Sequence, residues 1–154
     1  REDVTLYTID IQNESHPFGC LEAERTMFAS AGFFNLAFTR WFQIHGDSKV
    51  VGANWPNGKV DLVFVDGGHE YAECVGDITT WLPHVKPGGI IAVHDYRKHE
   101  ADWPEDGKRR PHPLPYPEID QAVDELLIGR YPSVLRVDSL IAFCIRPEFY
   151  GVKA

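Results

Sequence analysis

Two apolar runs in the middle of the chain, each closing on ionisable residues, set the pattern. Residues 61–65 (D-L-V-F-V) and 90–93 (I-I-A-V) have almost no polar face. That is the pattern of strands covered on both sides in a parallel sheet. Between them, Tyr71, Cys74, Val75, Ile78, Trp81 and Leu82 recur at helical spacing over residues 70–82. Trp81 falls on that stripe and reads as core. Pro83 and the Pro87-Gly88-Gly89 turn close the unit, giving strand, helix, strand with the right-handed crossover such units adopt.

The flanks extend the alternation. Residues 4–11 (V-T-L-Y-T-I-D-I) and 40–45 (R-W-F-Q-I-H) read as strands, ending at Asp10 and at Gly46-Asp47-Ser48. Between them, a polar loop at 13–19 leads to a helix over 21–31, with Glu22 and Glu24 in its first turn and Gly32 as the stop. Residues 33–38 are apolar without a clear period, and N-W-P-N-G at 54–58 is a turn. Near the end, Pro117 suits a first helical position before the stripe Ile119, Ala122, Val123, Leu126, Leu127, with Gly129 as the stop. Residues 133–137 and 140–145 form a hairpin about Asp138-Ser139. The order predicts an α/β fold: a doubly wound, mostly parallel sheet ending in an antiparallel hairpin.

At 154 residues the chain has the size of one domain, and the reading is a single one over 1–154. A formal net charge of -8 argues against a nucleic-acid or anionic-membrane partner. No apolar run approaches a bilayer span, and no signal peptide opens the sequence. Cys20, Cys74 and Cys144 lack paired spacing, so reduced thiols with packing roles in a cytoplasmic protein are expected. Residues 97–117 hold five of the eleven prolines and leave directly from His94-Asp95, so they read as a lid loop.

Ligands of open α/β sheets gather outside the carboxyl ends of the strands. If the strands at 61–65 and 90–93 are neighbours, Asp66, His69, His94 and Asp95 converge there. Asp10 has two readings, an acceptor for ribose hydroxyls or a turn former. Asp47 and Ser48 likewise read as a turn with a helix cap, or as a contact near a base edge.

The stretches D-L-V-F-V-D-G-G-H-E-Y (61–71), W-L-P-H-V-K-P-G-G-I-I-A-V-H-D-Y (81–96), Y-T-I-D-I (7–11) and H-G-D-S (45–48) resemble class I S-adenosylmethionine-dependent methyltransferases. The nearest subgroup contains macrocin O-methyltransferase and the cephalosporin hydroxylase-like proteins. The resemblance implies a Rossmann-like fold and O-methylation of a small-molecule hydroxyl, with S-adenosylmethionine as donor. Asp10 would hold the cofactor ribose, Asp47 and Ser48 would lie by the adenine, and Asp66 would sit beneath the sulfonium. Asp66, His94 and Asp95 would ligate Mg²⁺ or another divalent metal, and His69 would be the general base or a substrate-orienting residue.

A hard cation held by carboxylates suits proton loss from a hydroxyl, whereas histidine ligands favour a transition metal. The alternative for Asp66 and Asp95 is capping of the segments that follow them. The family's E-x-G-x-x-x-G turn and the strand before it have no match, so the first strand is expected to be missing, through truncation or because the protein is naturally short. A sheet lacking that strand invites pairing with a second copy, a homo-oligomer. Two other classes fit parts of the pattern: a metal-dependent hydrolase using Asp66, His69, His94 and Asp95, and a non-catalytic module on a degenerate methyltransferase fold.

Overall fold

Parallel pairing begins with β1 (Leu6–Asp10) against β2 (Trp41–His45), in register from Leu6 opposite Trp41 to Asp10 opposite His45. The computed structural model describes residues 4–11, 30, 32, 39–97, 102–104, 109–111 and 116–146, with backbone alone at 102–104 and 109–111. The expected helix over 21–31 and the apolar run 33–38 lie outside the described residues, apart from Ser30. Two compact units divide the chain, residues 1–54 and 55–154.

In the first unit, Tyr7 and Phe42 stack with ring centroids 5.3 Å apart, and Trp41 Nε1 donates to Thr8 Oγ1 at 2.9 Å. Both strands end at the same edge, where Gly46 N donates to Asp10 O at 3.0 Å. Helix α1 (Ser48–Ala53) then starts from Asp47.

The second unit carries a four-stranded sheet in the order β3 (Val60–Val65), β4 (Val85–Val93), β8 (Leu140–Cys144), β7 (Ser133–Val137). β3 and β4 are parallel, and β8 runs antiparallel to both its neighbours. The registers put Val63, Ile91 and Phe143 in one row and Val65, Val93 and Ile141 in the next. All six are buried. Burial on the same scale marks Cys74, Ile78 and Trp81 on α2 (Tyr71–Trp81) and Ile119, Ala122 and Val123 on α3 (Pro117–Leu126). The helical stripes read from the sequence therefore face this core. Burial pushes the Cys74 thiol up to about 11, so it packs as a protonated, unreactive side chain.

Three differences from the sequence reading have physical causes. First, β3 alternates among the described residues: Val63 and Val65 are buried, whereas Leu62 and Phe64 are 59% and 54% exposed. An uninterrupted apolar run cannot report which face is covered. Second, Pro87-Gly88-Gly89 is not a turn before a strand but part of β4, which begins at Val85. The pairing jumps from Val60–Val85 to Leu62–Ile90, so the extra residues bulge out of the ladder. Gly88 takes φ +83, and a Cβ on Gly89 would lie 2.9 Å from Asp61 O. Third, the 97–117 stretch is not wholly irregular, since β5 (Asp102–Pro104) and β6 (Arg109–Pro111) form a short antiparallel ladder.

Candidate active site at the strand ends

The β3–β4 ladder runs to its end with His94 N donating to Val65 O at 3.0 Å. That last bond sets Asp66 and His94, the residues just beyond the two strands, side by side. His94 Nδ1 lies 3.0 Å from Asp66 Oδ1 and 3.4 Å from Asp95 Oδ1. Its Nε2 faces Ser139 Oγ, in the β7–β8 turn, at 3.5 Å. Across the patch, His69 Nε2 lies 3.1 Å from Asp95 Oδ2, and the His69 ring stacks on Tyr116 with centroids 4.0 Å apart. All four residues expected to converge do so. Asp95 is the buried one, with its side chain 5% exposed against 43% for His69.

Local structure holds each piece. Asp95 adopts φ +60 and Arg97 φ +48, left-handed conformations that turn the chain sharply after β4. The strain is held by α3: Arg97 N donates to Asp120 Oδ1 at 2.5 Å, and Tyr96 OH donates to Asp124 Oδ1 at 2.8 Å. The Tyr96 ring is buried, with the Arg97 and Arg136 guanidiniums 5.4 and 5.6 Å from its centroid. Burial, followed by the bond to Asp124, raises the Tyr96 phenol above its usual range. On the other strand, the loop from Asp66 to His69 rests on α2. A Cβ on Gly67 would sit 2.6 Å from Oδ2 of buried Asp77, so only glycine fits that approach.

Sequence reasoning missed Tyr116, Ser139 and Asp77. Tyr116 and Ser139 reach the site from distant segments and carry no local signal. Asp77 had one: it falls on the apolar stripe between Cys74 and Ile78, where a charge must be held by something. The motif residue Tyr71 serves packing, donating to Glu125 Oε2 at 2.5 Å between α2 and α3.

The other residues expected at a site, Asp10, Asp47 and Ser48, lie in the first unit. Asp10 is exposed at the carboxyl end of β1. Asp47 accepts from Lys49 N at 2.8 Å and Val50 N at 3.3 Å, so it caps α1, and those backbone bonds hold its carboxyl below the usual range. Ser48 is the first residue of that helix. In the second unit, one donor atom each from Asp66, His94 and Asp95 lie within 4.8 Å of one another. Two carboxylate oxygens and an imidazole nitrogen at that spacing fit a divalent cation that keeps open positions for other oxygens. Beside them, the His69 imidazole fits a proton acceptor oriented by a buried carboxylate.

Parallel strands with the clustered residues at their carboxyl ends, followed by an antiparallel hairpin, fit the class I S-adenosylmethionine-dependent methyltransferase fold. The chain belongs to a methyltransferase-domain family, whose model matches residues 1–96. Protein R132 of Acanthamoeba polyphaga mimivirus is 29% identical over 76 residues, covering 49% of this chain and 29% of that protein. CalS11, a TDP-rhamnose 3′-O-methyltransferase of calicheamicin biosynthesis, is 15% identical with a TM-score of 0.59, covering 94% of this chain and 59% of CalS11. MycE, a methyltransferase of the mycinamycin pathway solved with Mg, SAH and mycinamycin VI, is 18% identical with a TM-score of 0.55, covering 98% of this chain and 47% of MycE. The chain thus spans less than two thirds of each of these proteins.

Proposed function

We propose that this protein transfers a methyl group from S-adenosylmethionine to a hydroxyl of a small molecule, with a divalent cation, Mg²⁺ first, at Asp66, His94 and Asp95. The observation that carries this reading is the convergence of those three residues and His69 beyond β3 and β4. CalS11 methylates a sugar hydroxyl, and MycE was solved with Mg and SAH, which supports the same chemistry here.

S-adenosylmethionine, when bound, supplies an electrophilic methyl on a sulfonium. The cation, when bound, supplies charge that orients the acceptor hydroxyl and lowers its pKa. The chain's own residues do the rest. Asp10 would hold the ribose hydroxyls, Asp47 and Ser48 would serve the adenine, and Asp66 would serve the sulfonium end. Asp66, His94 and Asp95 would hold the cation, and His69, oriented by Asp95, would accept the acceptor's proton. Residues 97–117 act as a lid that excludes water.

The acceptor is a small molecule, since the net charge of -8 opposes binding to nucleic acid or an anionic membrane. Among the described residues no helix is long and apolar enough to cross a membrane. Free Cys74 and Cys144 among the described residues support cytoplasmic residence, and the sheet edges support association with a second copy.

Calorimetry with S-adenosylhomocysteine tests the reading. Wild-type protein should bind, and Asp10→Ala should weaken binding at least tenfold without changing Mn²⁺ affinity. A flat wild-type trace would sink the proposal, and tightly held zinc on metal analysis would favour the hydrolase instead.

A further inference from the structure

The geometry points to Tyr116 as a positioning residue that, with Asp95, fixes His69 in one tautomer and presents its Nδ1 to the reacting hydroxyl. Two contacts of different kinds hold the imidazole. At its edge, Nε2 lies 3.1 Å from the Asp95 carboxylate, an acceptor only, so the proton of the neutral ring belongs on Nε2. At its face, the Tyr116 ring lies 4.0 Å away at 26°, which opposes tilting of the imidazole about its stem. With Nε2 committed to Asp95, Nδ1 carries the lone pair, on a side chain that is 43% exposed.

Tyr116 is itself held. It stands immediately before Pro117, whose ring restricts the preceding residue, and takes φ -116, ψ 74. Its carbonyl accepts from Ile119 N at 3.1 Å and Asp120 N at 3.4 Å, joining it to the first turn of α3. The same helix holds the turn after Asp95 through Asp120 and Asp124. One element therefore sets both the plane of the imidazole and the carboxylate at its edge. In methyl transfer, the acceptor O–H proton would pass to Nδ1 as the methyl–oxygen bond forms and the methyl–sulfur bond breaks with its electrons returning to sulfur. The proton on Nε2 stays with Asp95.

The role of Nδ1 in catalysis rests on the proposed methyl transfer, but the tautomer does not. The two therefore fail separately: S-adenosylhomocysteine binding tests the first, and NMR of the metal-free protein tests the second. Full-chain protein with ¹⁵N-labelled histidine, treated with chelator, is examined as the pH is raised until the His69 ring nitrogens stop changing, so that the neutral ring is observed. Wild-type His69, assigned by its loss in His69→Gln, should show a protonated Nε2 and a bare Nδ1. Tyr116→Phe should keep that pattern, while Tyr116→Ala should move both ¹⁵N shifts toward the average of exchanging tautomers. Tyr116→Leu, which keeps bulk without a flat face, should behave like Tyr116→Ala and decides the matter if the alanine variant does not fold. A protonated Nδ1 in wild type, or shifts unchanged in the folded leucine variant, would overturn the assignment.

Discussion

At Gly67 and Gly68, two adjacent glycines meet acidic side chains from the same helix, with different consequences. An added Cβ at Gly67 meets Asp77, which is buried and cannot withdraw. At Gly68 it falls on the Glu73 carboxylate, which is exposed and can swing into water, but the Glu73 Cβ, 3.1 Å away, must also give slightly. Gly67→Ala should therefore cost about 1–3 kcal/mol of stability by overpacking. Gly68→Ala should cost less, about 1 kcal/mol at most. Urea denaturation of the two variants checks the contrast, and equal losses would refute it. At this scale the sequence was legible where residues end strands: Asp66, His69, His94 and Asp95 follow from two apolar runs and the rule for strand ends. Asp47 was legible in its simpler role, as a helix cap. Tyr116 and Ser139 were not, because their partners lie 47 and 45 positions away along the chain and only the fold brings them together.

Among the elements, β4 departs furthest from what its residues announce. K-P-G-G has the composition of a turn, yet here it is a bulge within a continuous strand, held from the far side of the sheet. Gly88 N donates to Ile145 O at 2.5 Å and Ile145 N to Gly89 O at 2.9 Å. Non-local pairing of that kind leaves no trace in local composition, whereas the helices α2 and α3 were legible because their stripes repeat every turn. A Cβ on Gly89 would meet two backbone carbonyls, of Asp61 and Lys86, at 2.9 and 3.0 Å, and backbone cannot rotate aside. Gly89→Ala should lower stability by about 1–3 kcal/mol or more, and should speed hydrogen exchange of the Ile145 amide. Protection of Ile145 equal to wild type would contradict the bulge as the cause.

For the whole molecule, a cation seated on Asp66, His94 and Asp95 would join β3 to β4, and a ligand that binds only the folded chain raises its stability. At a hundredfold excess over Kd the gain is about 2.7 kcal/mol, which in a chain of this size moves Tm upward by about 5–10 °C. Mn²⁺ or Mg²⁺ should produce that rise and chelator should reverse it. Asp66→Ala and Asp95→Ala should abolish the rise; a metal shift retained in both would remove the cation from the site. The class of fold was legible at this scale from the order of elements. The exposure of Leu62 and Phe64 was not, since an apolar side chain looks the same in a sequence whether it is buried or exposed.

The position of β8 has a consequence for how the protein is made. It is the last strand of the described residues, yet it pairs directly with β4, joining Ile90 to Cys144, and its turn carries Ser139 to His94. A nascent chain that has emerged only as far as α3 holds every acidic and histidine residue of the cluster, but β4 still has an open edge. Strand pairing over so long a separation is slow to form. Assembly of the site must therefore wait until the ribosome has released the segment through Cys144, and a chain stopped short of it would expose a sticky edge in place of a working centre.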